Sequence, residues 1–450
     1  MELSGNKVLV VGLGESGLSV ARFVAARGAR VRVNDLRDRR ALGPAGMEAE
    51  ALGAELILGG HPSSAFEGSD LIVVSPGVPP LRELEEAERR GVPVMSEVEL
   101  ASRFIEAPLV GVTGTNGKST VTTLIGEMCR SLDRPSFVGG NLGRPLIDAV
   151  GTDAAKKDGL VIAELSSFQL ERTSRMKAHI AVLLNVTPDH LDRYPSFEAY
   201  AAAKGRIFDR QEPEDFAVLP ADQPELRELV KGRGAVVRFG GTDGEVRLVD
   251  GVLTDFSSPL RVPQTDIRIR GSHNASNACA AALVARLLGV APSDITTVLR
   301  EFPGLPHRMH HVRSLDGVDF IDDSKATNVG AAIASIDGLL ETPGKIVLVA
   351  GGVDKGGSYQ PLVERMARAG RAVVVIGEAA PLLERAFQST SIEVRRAASM
   401  NDAVAEAAKI ACPGDTVLLA PACSSFDMFR SYAERGDVFR RAVEGLRGKR

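Results

Sequence analysis

The stretch GVTGTNGKST at 111–120 places a lysine and two hydroxyls directly after closely spaced glycines, a combination suited to holding phosphate. Gly114, Gly117, Lys118 and Ser119 follow the apolar run PLVGVT and open a helical pattern. At such a junction the backbone N–H groups point at phosphate oxygens, Lys118 counters their charge, and Ser119 or Thr120 can ligate Mg²⁺. The spacing is not that of the common phosphate loop, whose first glycine would stand where Val112 is. A bare turn, however, needs no Lys-Ser-Thr after its last glycine, so phosphate binding is the expectation. Magnesium also wants a carboxylate, and Glu164 in LVIAELSSFQLE ends an apolar run, where α/β sheets place their ligands. A buried carboxylate there serves either a metal or a structural ion pair.

Further polar clusters follow other strand-like runs. LLNVTPDHLDRY gathers Asn185, Asp189, His190 and Asp192; Asp189 reads either as the cap of a short helix with His190 on the surface, or as part of a site with His190 beside metal or phosphates. Lys204 in YAAAKGRIF lies on a helix, where a single lysine is usually solvated. FIDDSKATN brings Lys325, Thr327 and Asn328 to a helix N-terminus; AGGVDKGG and APACSSFDMF put Lys355, Ser424 and Ser425 after strands. Together they suggest a site for an acidic small molecule. GLGESG at 12–17, with Asp35 at the end of the next strand, fits a dinucleotide, another nucleotide, or close strand–helix packing.

These residues need elements to carry them, and the patterning supplies parallel sheets flanked by helices. Strands are expected at 7–14, 29–35 and 70–80, then in PLVGVT, GLVIAE and HIAVLL, then at 318–321, 345–349, 371–376 and 415–419, with helices at 16–28, 274–289 and 293–302. PGLPHR at 303–308 cannot continue a helix and reads as a connector, expected to serve as a hinge. The 450 residues suggest about three domains of roughly 150 each. Hydrophobic content of 44%, charged content of 25% and a net charge of −4 give no reason to expect nucleic acid or an anionic membrane as partner. The apolar runs are far shorter than the roughly 18 residues of a membrane span, and the first residues lack a basic n-region. The four cysteines are isolated, which disfavours disulfides and zinc. A cytoplasmic enzyme is expected.

In chain order, GTNGKST, ELSSFQLE, NVTPDHLDRY, AAKGRIF, GSHNASN, GLPHR, DDSKATN and APACSSFDMF resemble the motifs of the Mur ligases, the ATP-dependent amide-forming enzymes of peptidoglycan synthesis. The resemblance spans essentially the whole chain. It implies an α/β fold of three domains: a Rossmann-like one at 1–97 that binds a UDP-sugar substrate, a central P-loop mononucleotide-binding one at 98–303, and a Rossmann-like one at 304–450 that binds the amino acid. The first glycine loop then serves UDP rather than NAD, through Ser16, Asp35, Arg37 and Gly77, with Asn141 of the central domain. For ATP it implies Gly114, Thr115, Asn116, Gly117, Lys118, Ser119 and Thr120 on the phosphates, Asn277 and Arg308 near the nucleotide, and Asp323 on the ribose. It implies two Mg²⁺ ions held through Ser119, Glu164, His190 and a carbamylated Lys204, and a catalytic set of Lys118, Glu164, His190 and Lys204. D-glutamate would meet Lys355, Thr327, Ser425 and Tyr432, with Lys325 nearby, and the acid joined to it would be UDP-N-acetylmuramoyl-L-alanine. A monomer is expected. The alternatives fit less: a dehydrogenase leaves the Lys118 loop unused, folylpolyglutamate synthetase lacks the first domain, and a scaffold has no use for Lys118, Glu164, His190 and Lys204 together.

Overall fold

The computed structural model describes residues 1–191, 193–269, 271–340 and 344–448. Its strands form three sheets. The first contains β1 (Lys7–Val11), β2 (Arg30–Asp35), β3 (Glu55–Leu58), β4 (Leu71–Val74) and β5 (Val94–Ser96), in the order β3-β2-β1-β4-β5. All of its pairings are parallel. The order reverses between β1 and β4, where open α/β sheets hold ligands outside their carboxyl ends. Val8 through Val11 of β1 are fully buried, which is why that strand reads as a continuous apolar run.

The second sheet holds β6 (Leu109–Thr113), β7 (Ser136–Gly140), β8 (Leu160–Glu164), β9 (Ile180–Leu183), β10 (Phe216–Pro220), β11 (Ala235–Phe239), β12 (Val246–Val249), β13 (Val252–Asp255) and β14 (Arg261–Pro263). Its order is β14-β13-β12-β11-β10-β9-β6-β8-β7, so β6 has β8 on one side and β9 on the other. The patterning left the stretch that supplies β10–β14 unassigned. Its antiparallel β12–β13 pair turns at Asp250-Gly251, both with positive φ, a hairpin signal present in the sequence.

The third sheet comprises β15 (His310–Leu315), β16 (Val318–Asp322), β17 (Ile346–Gly351), β18 (Gly370–Ile376), β19 (Glu393–Arg396) and β20 (Thr416–Leu419), ordered β15-β16-β20-β17-β18-β19. Only β15 pairs antiparallel. Along β17, Ile346, Leu348 and Ala350 enter one core while Val347 and Val349 enter the other. Full burial of each such valine, leucine or isoleucine contributes about 1.5–3 kcal/mol, so the central strands hold the sheet. The edges β15 and β19 carry charged residues and few buried ones, a defence against further pairing and the reason they escaped an apolar-run search.

By compactness the chain divides into two units. One contains Met1–Val186, Glu198–Val262 and Asn277–Val298 and carries the first two sheets; the other contains Thr187–Phe197, Pro263–Ser276 and Leu299–Arg450 and carries the third. Within the first unit, Glu99 fastens the segment after β5 to the second sheet's surroundings. Its buried carboxylate accepts from the backbone N–H groups of Ser174, Arg175 and Met176 and from Arg103. No helix among the described residues is long and apolar enough to cross a membrane.

Candidate active site

β6 ends at Thr113 and the helix Lys118–Cys129 begins after Gly117, whose φ of 86° is left-handed. A side chain at Gly117 would run into Asn277 Oδ1, so glycine is required both by backbone and by space. Asn185 braces the turn: its Oδ1 accepts from Asn116 N–H (2.9 Å), its Nδ2 donates to Asn116 O (3.1 Å), and its carbonyl accepts from Thr115 N–H (3.0 Å). Lys118 Nζ donates to the carbonyls of Gly114 (2.9 Å) and Thr115 (2.8 Å). Lys204 Nζ donates to the same Gly114 carbonyl at 2.8 Å. Expected as a solvated surface residue when read alone, Lys204 is instead 2% exposed and lies 4.6 Å from the ring centre of Tyr200. Two ammonium groups therefore meet at one turn.

Glu164 ends β8 and pairs in register with Val112 of β6, which sets its carboxylate beside the loop's strand. It is 2% exposed and accepts from Asn141 Nδ2 at 2.7 Å. The amide of Asn141, read by resemblance as reaching UDP, thus lies on the carboxylate. Ser119 and Thr120 are buried at the start of the helix. Ser119 Oγ and the Glu164 carboxylate are hard oxygen donors, and Mg²⁺ takes one or two carboxylates together with phosphate and water oxygens. No cluster of three or more His, Cys, Asp or Glu gathers among the described residues. The donor set fits magnesium.

At the switch point of the first sheet, Asp35 Oδ2 accepts from Leu13 N–H (2.7 Å) and Arg37 Nη2 (2.8 Å), and Oδ1 accepts from Arg37 N–H and Nε (both 2.9 Å). Burial opposes its ionisation, but these donors outweigh it and hold the carboxyl below the usual range. Four donors fill the acceptor capacity of one carboxylate, so Asp35 presents the loop and the half-exposed Arg37 rather than an open acceptor. Ser75 Oγ donates to Gly12 O at 2.7 Å, tying the Ser16 loop to the one that contains Gly77.

In the second unit, the loops after β16, β20 and β17 leave neighbouring parallel strands at one end of the sheet. Reciprocal backbone bonds between Val353 and Ser424 (3.0 Å each) join the Lys355 loop to the Ser425 loop. Lys325 Nζ sits 3.9 Å from the ring centre of Tyr432, and Asn328 caps the helix Val329–Asp337 by accepting from Ala331 N–H. Thr327 N–H donates to Lys325 O at 2.8 Å. Asp323 is buried and accepts from Ser335; burial pushes its carboxyl up to about 6, against the pull of Ser335 and Arg308. In the connector, Gly304 and His307 both have positive φ; His307 Nδ1 lies 2.7 Å from Asp322 Oδ2, and His307 O accepts from Lys325 N–H. His190 adopts φ of 56°, and Asp189 beside it caps no helix: its carboxylate meets Lys355 and Asn328. Asp192 lies outside the described residues.

Arg435, which the sequence did not single out, proves to be the residue that holds these loops together. Fully buried, it donates to Ser324 Oγ (3.0 Å), Ser324 O (2.9 Å), Cys423 O (3.1 Å) and Ser424 O (3.2 Å). Burial lowers its pKa to about 10, leaving the guanidinium charged at neutral pH. A lone arginine within YAERGDVF carries no signal of such a role.

A braced phosphate turn with two lysines and a buried carboxylate, at the ends of parallel strands, is the arrangement of a nucleotide-using α/β enzyme. Family models agree along the chain: the N-terminal domain of MurD-like Mur ligases matches residues 6–96, the Mur ligase middle domain 112–285, and the glutamate ligase domain of Mur ligases 307–423. The chain belongs to the Mur ligase family. It is similar to the UDP-N-acetylmuramoylalanine--D-glutamate ligase of Geobacter metallireducens, 45% identical over 99% of each chain. The enzyme of that name from Myxococcus xanthus is 43% identical over 99% of this chain and all of that one. Among solved structures, a pseudomurein peptide ligase type C from Methanothermus fervidus shares the fold at a TM-score of 0.62, with 19% identity over 98% of this chain and 100% of that one. The MurF ligase of Thermotoga maritima, in complex with ADP, does so at 0.60, with 19% identity over 98% of both.

Proposed function

We propose that this chain couples ATP cleavage to the joining of UDP-N-acetylmuramoyl-L-alanine and D-glutamate, as the names of its relatives suggest. The observation that carries the chemistry is the meeting of Lys118 and Lys204 at the Gly114 carbonyl, beside Glu164. The carboxylate of the muramoyl-alanine attacks the γ-phosphorus of ATP, giving an acyl phosphate and ADP. The amine of D-glutamate then attacks the activated carbonyl, and phosphate leaves from the tetrahedral intermediate. The first step brings two anions together, so fixed positive charge carries most of the load. Lys118 provides a cation and the N–H groups of 114–120 preorganised dipoles, which need no rearrangement as charge moves.

Ser119 and Glu164 would hold magnesium, and Lys204 could join them only as a carbamate, because an ammonium ion is no ligand. His190, in the other unit, enters on family resemblance alone. The ion would contribute several kcal/mol of charge stabilisation between the carboxylate and the triphosphate. Asn277, Arg308 and Asp323 are proposed for the nucleoside. Ser16, Asp35, Arg37, Gly77 and Asn141 are proposed for the uridine diphosphate, with Asp35 acting through Arg37; the Asn141 amide also orients the Glu164 carboxylate. For D-glutamate we assign Lys325, Thr327, Lys355, Ser425 and Tyr432, Lys355 pairing with the second carboxylate. The functional domains are proposed as 1–97, 98–303 and 304–450, in a cytoplasmic monomer.

Phosphate release measured with each substrate omitted in turn tests this reading. It is expected to require ATP, UDP-N-acetylmuramoyl-L-alanine and D-glutamate together. Release without the amino acid, or nicotinamide binding without ATP binding, would contradict it.

A further inference from the structure

One carboxylate of the second unit has no part in the scheme above. Asp189 is buried, and donors close in on both of its oxygens. Oδ1 accepts from His190 N–H (2.9 Å) and Lys355 Nζ (3.3 Å); Oδ2 accepts from Asn328 Nδ2 (2.8 Å), and the His190 ring Nε2 lies 3.7 Å from it. Asp189, Lys355 and Asn328 line a cavity of about 270 Å³ whose walls include Leu191, Val329, Ile333 and Tyr359.

We propose that Asp189 is a positioning residue for the amino-acid substrate, holding Lys355 Nζ at this cavity so that the ammonium meets the second carboxylate in one place. The proposal rests on the reading that Lys355 takes that carboxylate. A lysine stem is flexible and its ammonium has three donors, of which Asp189 engages one; the other two can serve an incoming acid. Among apolar walls the attraction is screened less than in water. Asn328 and the His190 N–H fix Asp189 in turn, so it cannot follow the lysine if that moves. The same bond to His190 N–H supports the left-handed backbone of His190.

The test is a double-mutant cycle read by steady-state kinetics on the full chain: wild type, Asp189→Asn, Lys355→Met and both together. Asp189→Asn is expected to raise KM for D-glutamate about tenfold while changing KM for ATP less than about twofold, the scale of one lost charge-assisted bond. With Lys355→Met already present, Asp189→Asn should add nothing to KM for D-glutamate. Independent, multiplying effects in the double variant would overturn the positioning role, as would an equal rise in KM for ATP. If Lys355→Met alone leaves KM for D-glutamate unchanged, the fault lies in the assignment of Lys355, and the proposal goes with it. Asp189→Glu is carried through the same cycle, so that the result stands if the Asn variant does not fold. Its longer side chain displaces the ammonium, so KM for D-glutamate should rise only where Lys355 is present; an unchanged KM would also overturn the proposal.

Discussion

Lys118 and Lys204 reach one carbonyl from different helices, and only the first of them stood out in the sequence as a candidate for holding phosphate. Lys118 follows a glycine at a strand–helix junction, where its neighbours reveal its use. Lys204 sits in an ordinary helical pattern; its burial depends on the approach of two distant segments, 90 residues apart in sequence. Lys118→Ala is expected to lower turnover about 10²–10³-fold, the usual cost of removing one preorganised donor, with folding preserved by its thermal midpoint. Lys204→Ala should lose activity and regain part of it when a small carboxylic acid is added to the assay, because the acid can replace the proposed carbamate. An alanine variant as active as wild type without any added acid would remove Lys204 from the mechanism.

At the scale of elements, the helix Tyr432–Glu444 anchors the loops of the third sheet through Arg435, and the connector does so through His307. Arg435→Met removes the guanidinium donor from the buried Ser324 and Cys423 carbonyls, while Ser424 O keeps Val353 N–H. It should destabilise the second unit by about 3 kcal/mol or more in denaturant melts, since each unsatisfied buried group costs about 1–3 kcal/mol. The bond to Asp322 raises the pKa of His307 against the opposing effect of burial. Its contribution to stability is therefore full below the ordinary imidazole value of about 6.5 and is lost as pH rises through the higher native value. The Tm difference between wild type and His307→Ala should shrink as pH rises above the ordinary imidazole value of about 6.5; a constant difference would show that the pair's charge does not matter. The sequence marked the central strands whose apolar runs are continuous. It missed β3, β5, β7, β15 and β19, whose place at the edges is a matter of pairing, and it missed β10–β14, the buried β10 among them.

For the molecule as a whole, motif order told more than any motif alone. GLGESG could not distinguish a dinucleotide from UDP, because the same turn serves any diphosphate, while the run from GTNGKST to APACSSFDMF points to one family. What stayed hidden is how side chains spend their hydrogen bonds: Asp35 on Arg37 and Leu13, Asn141 on Glu164, Asp189 on Lys355. The central claim is that one acid attacks the terminal phosphorus of ATP before the amine arrives. It is tested by labelling the carboxylate of UDP-N-acetylmuramoyl-L-alanine with ¹⁸O and analysing the released phosphate by mass spectrometry. An acyl phosphate requires one labelled oxygen in the phosphate per turnover; phosphate carrying no label, with the peptide product formed, would contradict the account.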